Sequence, residues 1–362
     1  MPQQLWVGTR KGLFGLEHGS DGWHIASRSF LGDPVSMVLP DPATNRLYAA
    51  LSLGHFGAKL QRSDDSGSTW HEIAVPIYPE KPAHHPDATP WSLAQIWSLE
   101  LGGNDRPGVL WCGTIPGGLF QSEDGGDSWM LNKALWEEPR RAAWQGGGYD
   151  WPGVHSICVD PRNSDHLTVG VSIGGVWQTR DGGVSWQAKG KGLRADYLPP
   201  DLAHDPEQQD PHRIVQSPRD PNIFWMQHHN GMWLSLDNAE TWEELVDVSP
   251  STFGFAVAAD PTNPLRAWFV PANDDEIRIP VDGAMVVNRT DDGGETFTQL
   301  RSGLPQRDAY DLVYRHGMDI AADGKTLALG STTGSLWLSD DGGDSFATFS
   351  ANLPSIFCTR FA

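Results

Sequence analysis

The chain has 362 residues, and its 46 acidic side chains outnumber its 26 basic ones to give a formal net charge of −20 at pH 7. With no run of Lys or Arg to offset this charge, the composition argues against nucleic acid and against acidic membrane surfaces as partners. Forty Gly and 17 Trp predict many tight turns and many aromatic contacts between packed sheets.

The N-terminal sequence enters a strand at once, since residues 5–9 read Leu-Trp-Val-Gly-Thr. We find no secretory leader and no long apolar span, so we expect a cytoplasmic protein. Cys112, Cys158 and Cys358 are too few for a disulfide framework. Two of them lie in strand-like runs, and we expect buried thiols.

An eight-residue pattern then recurs along the chain, of the form Ser/Thr-x-Asp-x-Gly-x-Ser/Thr-Trp/Phe. Ser122-Glu-Asp-Gly-Gly-Asp-Ser-Trp129 is a clear copy, and Ser235-Leu-Asp-Asn-Ala-Glu-Thr-Trp242 is a worn one. The other clear copies begin at Ser63, Thr179, Thr290 and Ser339. The closing aromatics recur every 49 to 59 residues, at Trp70, Trp129, Trp186, Trp242, Phe297 and Phe346.

Each residue type that recurs in this pattern has a structural purpose. The Asp can accept hydrogen bonds from backbone N–H groups of its own turn, and the Gly supplies a backbone shape that other residues resist. The aromatic begins the next strand and is expected to pack between neighbouring sheets. A repeat of this length, with one short sheet per unit, predicts a β-propeller.

The pattern resembles the Asp box, and the chain resembles the Asp-box (BNR-repeat) superfamily of propellers, which includes sialidases, sortilin-type domains and xyloglucanase-type domains. The resemblance covers nearly the whole chain and implies a propeller fold. It implies less about function, because the turn is structural and the same propeller supports unrelated chemistries.

The two ends of the chain predict how the ring closes. Residues 5–9 match the second strand of a unit, so the first unit lacks its inner strand. A spare strand at about 355–361 is expected to supply it. Inner strands near residues 36, 96, 155, 214, 255, 318 and 357 give seven blades. We therefore predict an all-β fold in which residues 1–362 form a single seven-bladed propeller of four-stranded antiparallel blades.

Long connections should surround one mouth of the central channel. The links between successive blades near 74–95, 131–153 and 190–212 are long and rich in His, Trp, Tyr and Asp, and a further insert spans 271–280. Long connections in compact folds are more often functional than idle. Nine of the 13 histidines map to this face, namely His55, His84, His85, His155, His204, His212, His228, His229 and His316.

One hypothesis for this mouth is a metal site. His155, His212, His229 and His316 are the candidate ligands, for Zn, Cu, Fe or Mn, because imidazoles from several blades would meet near the axis. Asp150 or Asp311 could accept hydrogen bonds from the ring nitrogens that do not bind the metal. The alternative is that these histidines pack against mouth aromatics and bond to loop backbone.

The resemblance to sialidases implies a second hypothesis, hydrolysis, for which such enzymes use three arginines on a carboxylate, a nucleophile pair containing Tyr, and an acid/base Asp. Arg10, Arg213 and Arg315 could form the clamp. The candidate catalytic residues are Asp150, Tyr310 and Asp311, with Tyr149 and Tyr314 beside them. Trp97 and Trp151 are the candidate stacking residues for a sugar. The family's Arg-Ile-Pro motif belongs near the N-terminus, whereas the match here, 278–280, lies in the sixth unit.

These observations predict a protein that binds a small polar or carbohydrate-like ligand at the channel mouth, with glycoside-hydrolase-like activity as the first candidate. A second interpretation is a non-catalytic scaffold that binds a protein or peptide. A third is a metal-dependent enzyme with a multi-His site.

Overall fold

The computed structural model describes residues 3–85 and 87–362. Within these residues, 28 β-strands form seven four-stranded antiparallel sheets. The innermost strands of neighbouring sheets contact one another all the way around a ring. The predicted all-β, seven-bladed propeller is therefore confirmed.

The strands are numbered in chain order. Those of the first three units are β1 (Gln4–Thr9), β2 (Gly12–Gly19), β3 (Gly22–Ser29), β4 (Val35–Asp41), β5 (Arg46–Ser52), β6 (Ala58–Ser63), β7 (His71–Ile73), β8 (Gln95–Leu101), β9 (Leu110–Ile115), β10 (Leu119–Ser122) and β11 (Met130–Leu131). Next come β12 (Val154–Val159), β13 (Leu167–Val171), β14 (Gly175–Thr179), β15 (Gln187–Ala188), β16 (Pro211–Gln216), β17 (Phe224–His228), β18 (Gly231–Ser235) and β19 (Glu243–Leu245). The last are β20 (Gly254–Ala259), β21 (Ala267–Pro271), β22 (Val287–Thr290), β23 (Thr298–Leu300), β24 (Met318–Ile320), β25 (Leu327–Gly330), β26 (Leu336–Ser339), β27 (Ala347–Ser350) and β28 (Ile356–Phe361).

Short helical turns interrupt the connections between these strands. An α-helical turn, α1, spans Lys133–Trp136, and 3-10 turns span Gly54–Phe56, Pro139–Ala143 and Val281–Gly283. Across residues 3–85 and 87–362, no helix has the length and apolar character needed to cross a bilayer.

The C-terminal strand closes the ring as predicted. Strand β28 pairs antiparallel with β1, with Leu5 opposite Phe361 and Val7 opposite Thr359. It thereby becomes the innermost strand of the sheet β28-β1-β2-β3, and it also contacts β4 and β24 in the two neighbouring sheets. The first and last segments of the chain therefore share one blade, which leaves no open edge along the inner ring.

The repeated turns have the hydrogen bonds that the pattern predicts. In the copy at 122–129, the Ser122 hydroxyl donates to Asp124 Oδ1 at 2.8 Å and accepts from the N–H of Gly126 at 2.8 Å. Asp124 Oδ1 also accepts from the N–H of Ser128 at 2.8 Å. The same set of bonds forms in the copies that begin at Ser63, Thr179, Thr290 and Ser339.

The worn copy keeps this geometry without its glycine. Asp237 Oδ1 accepts from the N–H of Thr241 at 2.8 Å, as in the intact copies. Asn238 and Ala239 adopt φ values of 64° and 62°, a left-handed conformation that costs a residue with a side chain more than it costs Gly. The surrounding blade therefore imposes the turn where the sequence no longer favours it.

The closing aromatics join neighbouring blades. The indole N–H of Trp129 donates to the Ala74 carbonyl of the preceding blade at 3.0 Å. Trp186 donates to Asn132 Oδ1 at 3.0 Å, and Trp242 donates to the Lys189 carbonyl at 2.8 Å. Each of these three blades is thus tied to the one before it by an indole hydrogen bond.

The predicted thiols are all free and buried. Cys112, Cys158 and Cys358 lie on β9, β12 and β28, inside the packing between blades. Burial raises the pKa of Cys158 to about 12, so this thiol stays protonated at neutral pH.

The aspartates of the repeated turns predict that the stability of the fold decreases in acid. Hydrogen bonds from Thr69 hold the pKa of Asp65 at about 2, and those from Ser185 and Thr179 hold the pKa of Asp181 at about 2, against an ordinary value of 3.8. A depressed folded-state pKa gives stability that is present above the ordinary value and is lost as pH falls toward the folded value. We therefore expect Tm to fall between about pH 4 and pH 2.

Differential scanning fluorimetry between pH 6 and pH 2 checks this expectation. Asp181→Asn should lower Tm at pH 6 and make the fall of Tm in acid shallower. Asp201→Asn, at an exposed position outside the repeated turns, should leave the curve unchanged. If Tm falls equally steeply with pH in the wild type and in Asp181→Asn, the loss of stability in acid does not come from Asp181.

Candidate functional site

A cavity of about 600 Å³ occupies the end of the channel where the inner strands begin. We call it the mouth cavity. The side chains that line it include Arg10, Trp97, Tyr149, Asp210, His212, His229, Phe255, Arg278, Tyr314, Arg315 and His316. They come from different blades and from the loops between them, so the site exists only once the ring has closed.

Two of the long connections deliver residues to this cavity. The link between β11 and β12 places the glycines 146–148 and Tyr149 along one wall. The insert after β21 brings in Arg278, whose Nε donates to the Asp275 carbonyl at 2.9 Å. The Arg278 guanidinium lies 5.6 Å from the centroid of the Phe255 ring, close enough for a cation–π contact.

Arg315 is the buried cation of the cavity. It is 8% exposed, and its guanidinium carbon lies 4.8 Å from the ring centroid of Trp97 and 5.5 Å from that of Phe255. Its Nε has no hydrogen-bond partner among the described residues, and none of their carboxylates lies within ion-pair distance. Burial lowers the pKa of Arg315, yet an arginine stays charged at neutral pH. The cavity therefore holds a desolvated positive charge that lacks a close counter-ion.

Asp210 and two histidines form a cluster beside this cation. His212 Nε2 and His229 Nδ1 each lie 3.5 Å from Asp210 Oδ2, and the N–H of Ile173 donates to Asp210 Oδ1 at 3.1 Å. Burial lowers the pKa of His212, so the cluster combines a carboxylate with a neutral imidazole at pH 7.

His155 and His316 occupy different positions from this cluster. His316 lines the cavity, and neither of its ring nitrogens has a partner among the described residues. His155 is fully buried, with its ring 5.5 Å from that of Trp97 and its Nδ1 2.9 Å from the Ser156 hydroxyl. Burial lowers the pKa of both rings well below the usual value, so both are neutral. The structure thus brings together two of the four predicted metal ligands, with Asp210 as the third group.

Other predicted site residues lie outside the mouth cavity. Arg213 sits deeper in the channel, where its Nη1 is 3.4 Å from the His155 carbonyl. Asp150 and Trp151 line an adjoining cleft instead. Tyr310 is 63% exposed, and Asp311 accepts hydrogen bonds from the hydroxyls of Ser331 and Thr333. Arg10, Trp97 and Arg315 are the predicted ligand-binding residues that the structure brings to one cavity.

The opposite end of the channel has a different electrostatic character. A cavity of about 680 Å³ there is lined by Glu100, Asp319 and Arg360 among others. Arg360 is paired with Glu100, so the charges of these two residues neutralise one another. In the mouth cavity, Arg10, Arg278 and Arg315 form no ion pair with any residue that the structure describes, so this cavity is the better candidate for binding an anionic ligand.

Sequence reasoning missed Asp210, Phe255 and the position of Arg278. Asp210 lies two residues before His212, in a Gln-Asp-Pro-His sequence that could have signalled it. The insert 271–280 was expected at the mouth, but nothing in the local sequence shows that Arg278 reaches the cavity lining.

No protein-family model matches this chain. The oligoxyloglucan-reducing end-specific xyloglucanase of Emericella nidulans (strain FGSC A4) is 34% identical over 176 residues, which are 45% of this chain and 18% of that enzyme. The chain therefore spans only a small part of this curated relative.

Two solved structures resemble the whole propeller. The GH74 enzyme of Niastella koreensis matches with a TM-score of 0.62 and 16% identity, over 97% of this chain and 52% of that one. YCF48 bound to D1 peptide matches with a TM-score of 0.55 and 15% identity, over 94% of this chain and 88% of that one. At such identities these structures show a shared fold and nothing further.

Proposed function

We propose that this protein is an Asp-box propeller that binds a small carbohydrate-like anion, such as a sugar acid, in the mouth cavity. Arg315 is the observation that carries the proposal. A guanidinium that is 8% exposed, beside an open cavity, needs an anion to offset its desolvation. Its planar fork of donors matches a carboxylate in two parallel hydrogen bonds.

The charge of the cavity supports an anionic ligand. Although the chain carries a net charge of −20, its mouth cavity is lined by Arg10, Arg278 and Arg315. Among the residues that the structure describes, Asp210 is the only carboxylate in that lining. Three cations against one anion leave a local positive excess, which attracts negatively charged ligands.

The aromatic walls and the curated relative support a sugar. Trp97, Tyr149, Phe255 and Tyr314 give the cavity flat apolar surfaces beside its charged groups, which is the usual composition of a small-molecule site. The relative that is 34% identical over part of its length is named as an enzyme of xyloglucan oligosaccharides.

Hydrolysis is a further proposal, and the cavity supports it less directly. A two-carboxylate glycosidase needs a pair of acids across the scissile bond, whereas the described lining offers Asp210 alone. Tyr149 and Tyr314 would be available to a mechanism with a Tyr nucleophile. The roles predicted for Asp150, Tyr310 and Asp311 stay predictions, and they require a ligand that extends beyond this cavity.

Isothermal titration calorimetry tests the binding proposal. Glucuronate and galacturonate should bind, while glucose and galactose, which lack the carboxylate, should bind far more weakly. Arg315→Met should weaken uronate binding by about 10- to 100-fold, because it removes a charged hydrogen bond to the ligand.

The control for this experiment is Arg307→Met, which removes an exposed arginine that does not line the cavity. It should bind uronates like the wild type. Equal affinity for the acid and the neutral sugars, or full binding by Arg315→Met, would refute the proposal.

A peptide-binding scaffold is the second candidate. A cleft of about 740 Å³ adjoins the mouth cavity, and Trp91, Trp136, Trp144 and Trp151 line it. Tryptophans are enriched where proteins bind partners. The arginine that lines this cleft, Arg141, is already paired with Asp87 at 3.1 Å. The cleft therefore favours an apolar peptide over an anion. Such binding would not depend on Arg315.

A further inference from the structure

In the cluster of Asp210, His212 and His229, the surrounding hydrogen-bond acceptors determine which ring nitrogens carry protons. His212 Nδ1 lies 2.6 Å from the carbonyl oxygen of Gly254, which can only accept a hydrogen bond. Nδ1 therefore carries a proton, which leaves Nε2 as the nitrogen of this ring that can bind a metal. That Nε2 faces Asp210 Oδ2 at 3.5 Å, so one acceptor points at another.

His229 repeats the arrangement with its nitrogens exchanged. Its Nε2 lies 3.5 Å from a carboxylate oxygen of Asp275, which again can only accept. The remaining nitrogen, Nδ1, lies 3.5 Å from the same Asp210 Oδ2. The other oxygen of Asp210 is already bonded to the N–H of Ile173 at 3.1 Å. Asp210 Oδ2, His212 Nε2 and His229 Nδ1 therefore face one another, each with a lone pair to offer when the two rings are neutral.

We propose that this point binds a divalent transition metal of the Zn²⁺ class, with Asp210 Oδ2, His212 Nε2 and His229 Nδ1 as ligands. Zinc bonds to nitrogen and carboxylate oxygen are about 2.0–2.2 Å long, which in a tetrahedral site separates neighbouring ligand atoms by about 3.4 Å. The two separations from Asp210 Oδ2 are both 3.5 Å. All the ligand atoms lie within 4.8 Å of one another.

The groups behind the ligands fit the same site. Metal-binding histidines almost always donate their other ring N–H to a carbonyl or a carboxylate, which fixes the tautomer and the direction of the ring. Gly254 does this for His212, and Asp275 does it for His229. Stacking on Phe255, with ring centroids 4.4 Å apart and planes within 9°, also holds the His212 ring in place.

The ligand set also indicates where the metal would act. Two imidazoles and one carboxylate are the pattern of zinc sites that keep a fourth position open. All three residues line the mouth cavity, so the open position faces the space in which a ligand would bind. This inference does not depend on the sugar-acid proposal, since the metal is held by protein atoms alone.

Metal binding to the untagged, EDTA-treated and dialysed protein tests the site. Titration with Zn²⁺ in competition with a chromophoric chelator should give one ion per chain. Asp210→Asn and His229→Ala should weaken Zn²⁺ binding by at least about 100-fold, and Asp275→Asn should weaken it by about 10-fold. Substitution with Co²⁺ should give the intense visible absorption of a four-coordinate ion.

The matched control is His71→Ala. His71 Nε2 lies 3.6 Å from Asp64 Oδ2 in an exposed pair without a third ligand, so this variant should bind Zn²⁺ like the wild type. No binding by the wild type, or Asp210→Asn binding within about threefold of it, would overturn the proposal. Near-UV circular dichroism checks the fold of each variant. If the Asp210 and His229 variants do not fold, the Zn²⁺ affinity of Asp275→Asn decides for or against the site. This variant is expected to fold because the Asp275 side chain is 51% exposed.

Discussion

Deleting residues 355–362 should leave a chain that does not form the propeller. Strand β28 lies inside the ring, where Ile356 and Cys358 are 1% and 0% exposed. It pairs with β1 and contacts β4 and β24, so its loss opens the first blade and removes one of the seven inner strands. The edge of β1 would then face solvent, which favours aggregation.

Solubility on expression and thermal melting by circular dichroism check this expectation. The truncated chain should be insoluble or lack a cooperative transition, while a chain that lacks only the exposed Ala362 should melt like the wild type. A synthetic peptide of residues 353–362 should partly restore the transition. A truncation that melts within a few degrees of the full chain would show that β28 is dispensable.

Glu100→Gln should destabilise the protein by about 3 kcal/mol, the cost of leaving a buried charge without its partner. Glu100 is paired with Arg360 inside the channel, and their side chains are only 21% and 17% exposed. Although burial alone would lower the pKa of Arg360, Glu100 and Asp319 raise it. Burial and the nearby Arg360 together lower the pKa of Arg213 to about 10. Without Glu100, two arginines would share one acid, Asp319.

The double variant Glu100→Gln/Arg360→Met tests whether charge balance is the cause. It leaves Arg213 with Asp319, so its free energy of unfolding in urea should lie closer to that of the wild type than the value for Glu100→Gln does. Lys59→Met is a comparison, since Lys59 and Glu72 form an exposed ion pair at 2.7 Å and its loss should cost about 1 kcal/mol or less. Additive losses in the double variant would show that packing, and not charge, sets the effect.

The blades could be predicted because their signals are local. Ser122, Asp124 and Gly126 lie within five residues and determine a turn by themselves, and an equivalent Ser/Thr-x-Asp-x-Gly set occurs in five of the seven blades. The closure by β28 followed from counting strands, since residues 5–9 match a second strand and 355–361 had no other place. Both inferences depend only on the order of elements along the chain.

The site was predicted in outline because strand direction places residues at one end of the ring. The first residues of the inner strands were expected at the mouth, and Trp97, His212 and His316 line the mouth cavity. Arg213 immediately follows His212 but points deeper into the channel. Side chains alternate along a strand, so an uncertainty of one residue in register decides which of two neighbours faces the ligand.

The sequence by itself determined the fold, the number of blades and the strand that closes the ring, because hydrogen bonds within short turns and a regular period depend on near neighbours. Only the tertiary structure decided which polar groups meet. Asp210 and Asp275 are 65 residues apart in the chain, yet both contact the ring of His229. Such a contact depends on loop conformation and on the packing of separate blades, and a local sequence pattern specifies neither.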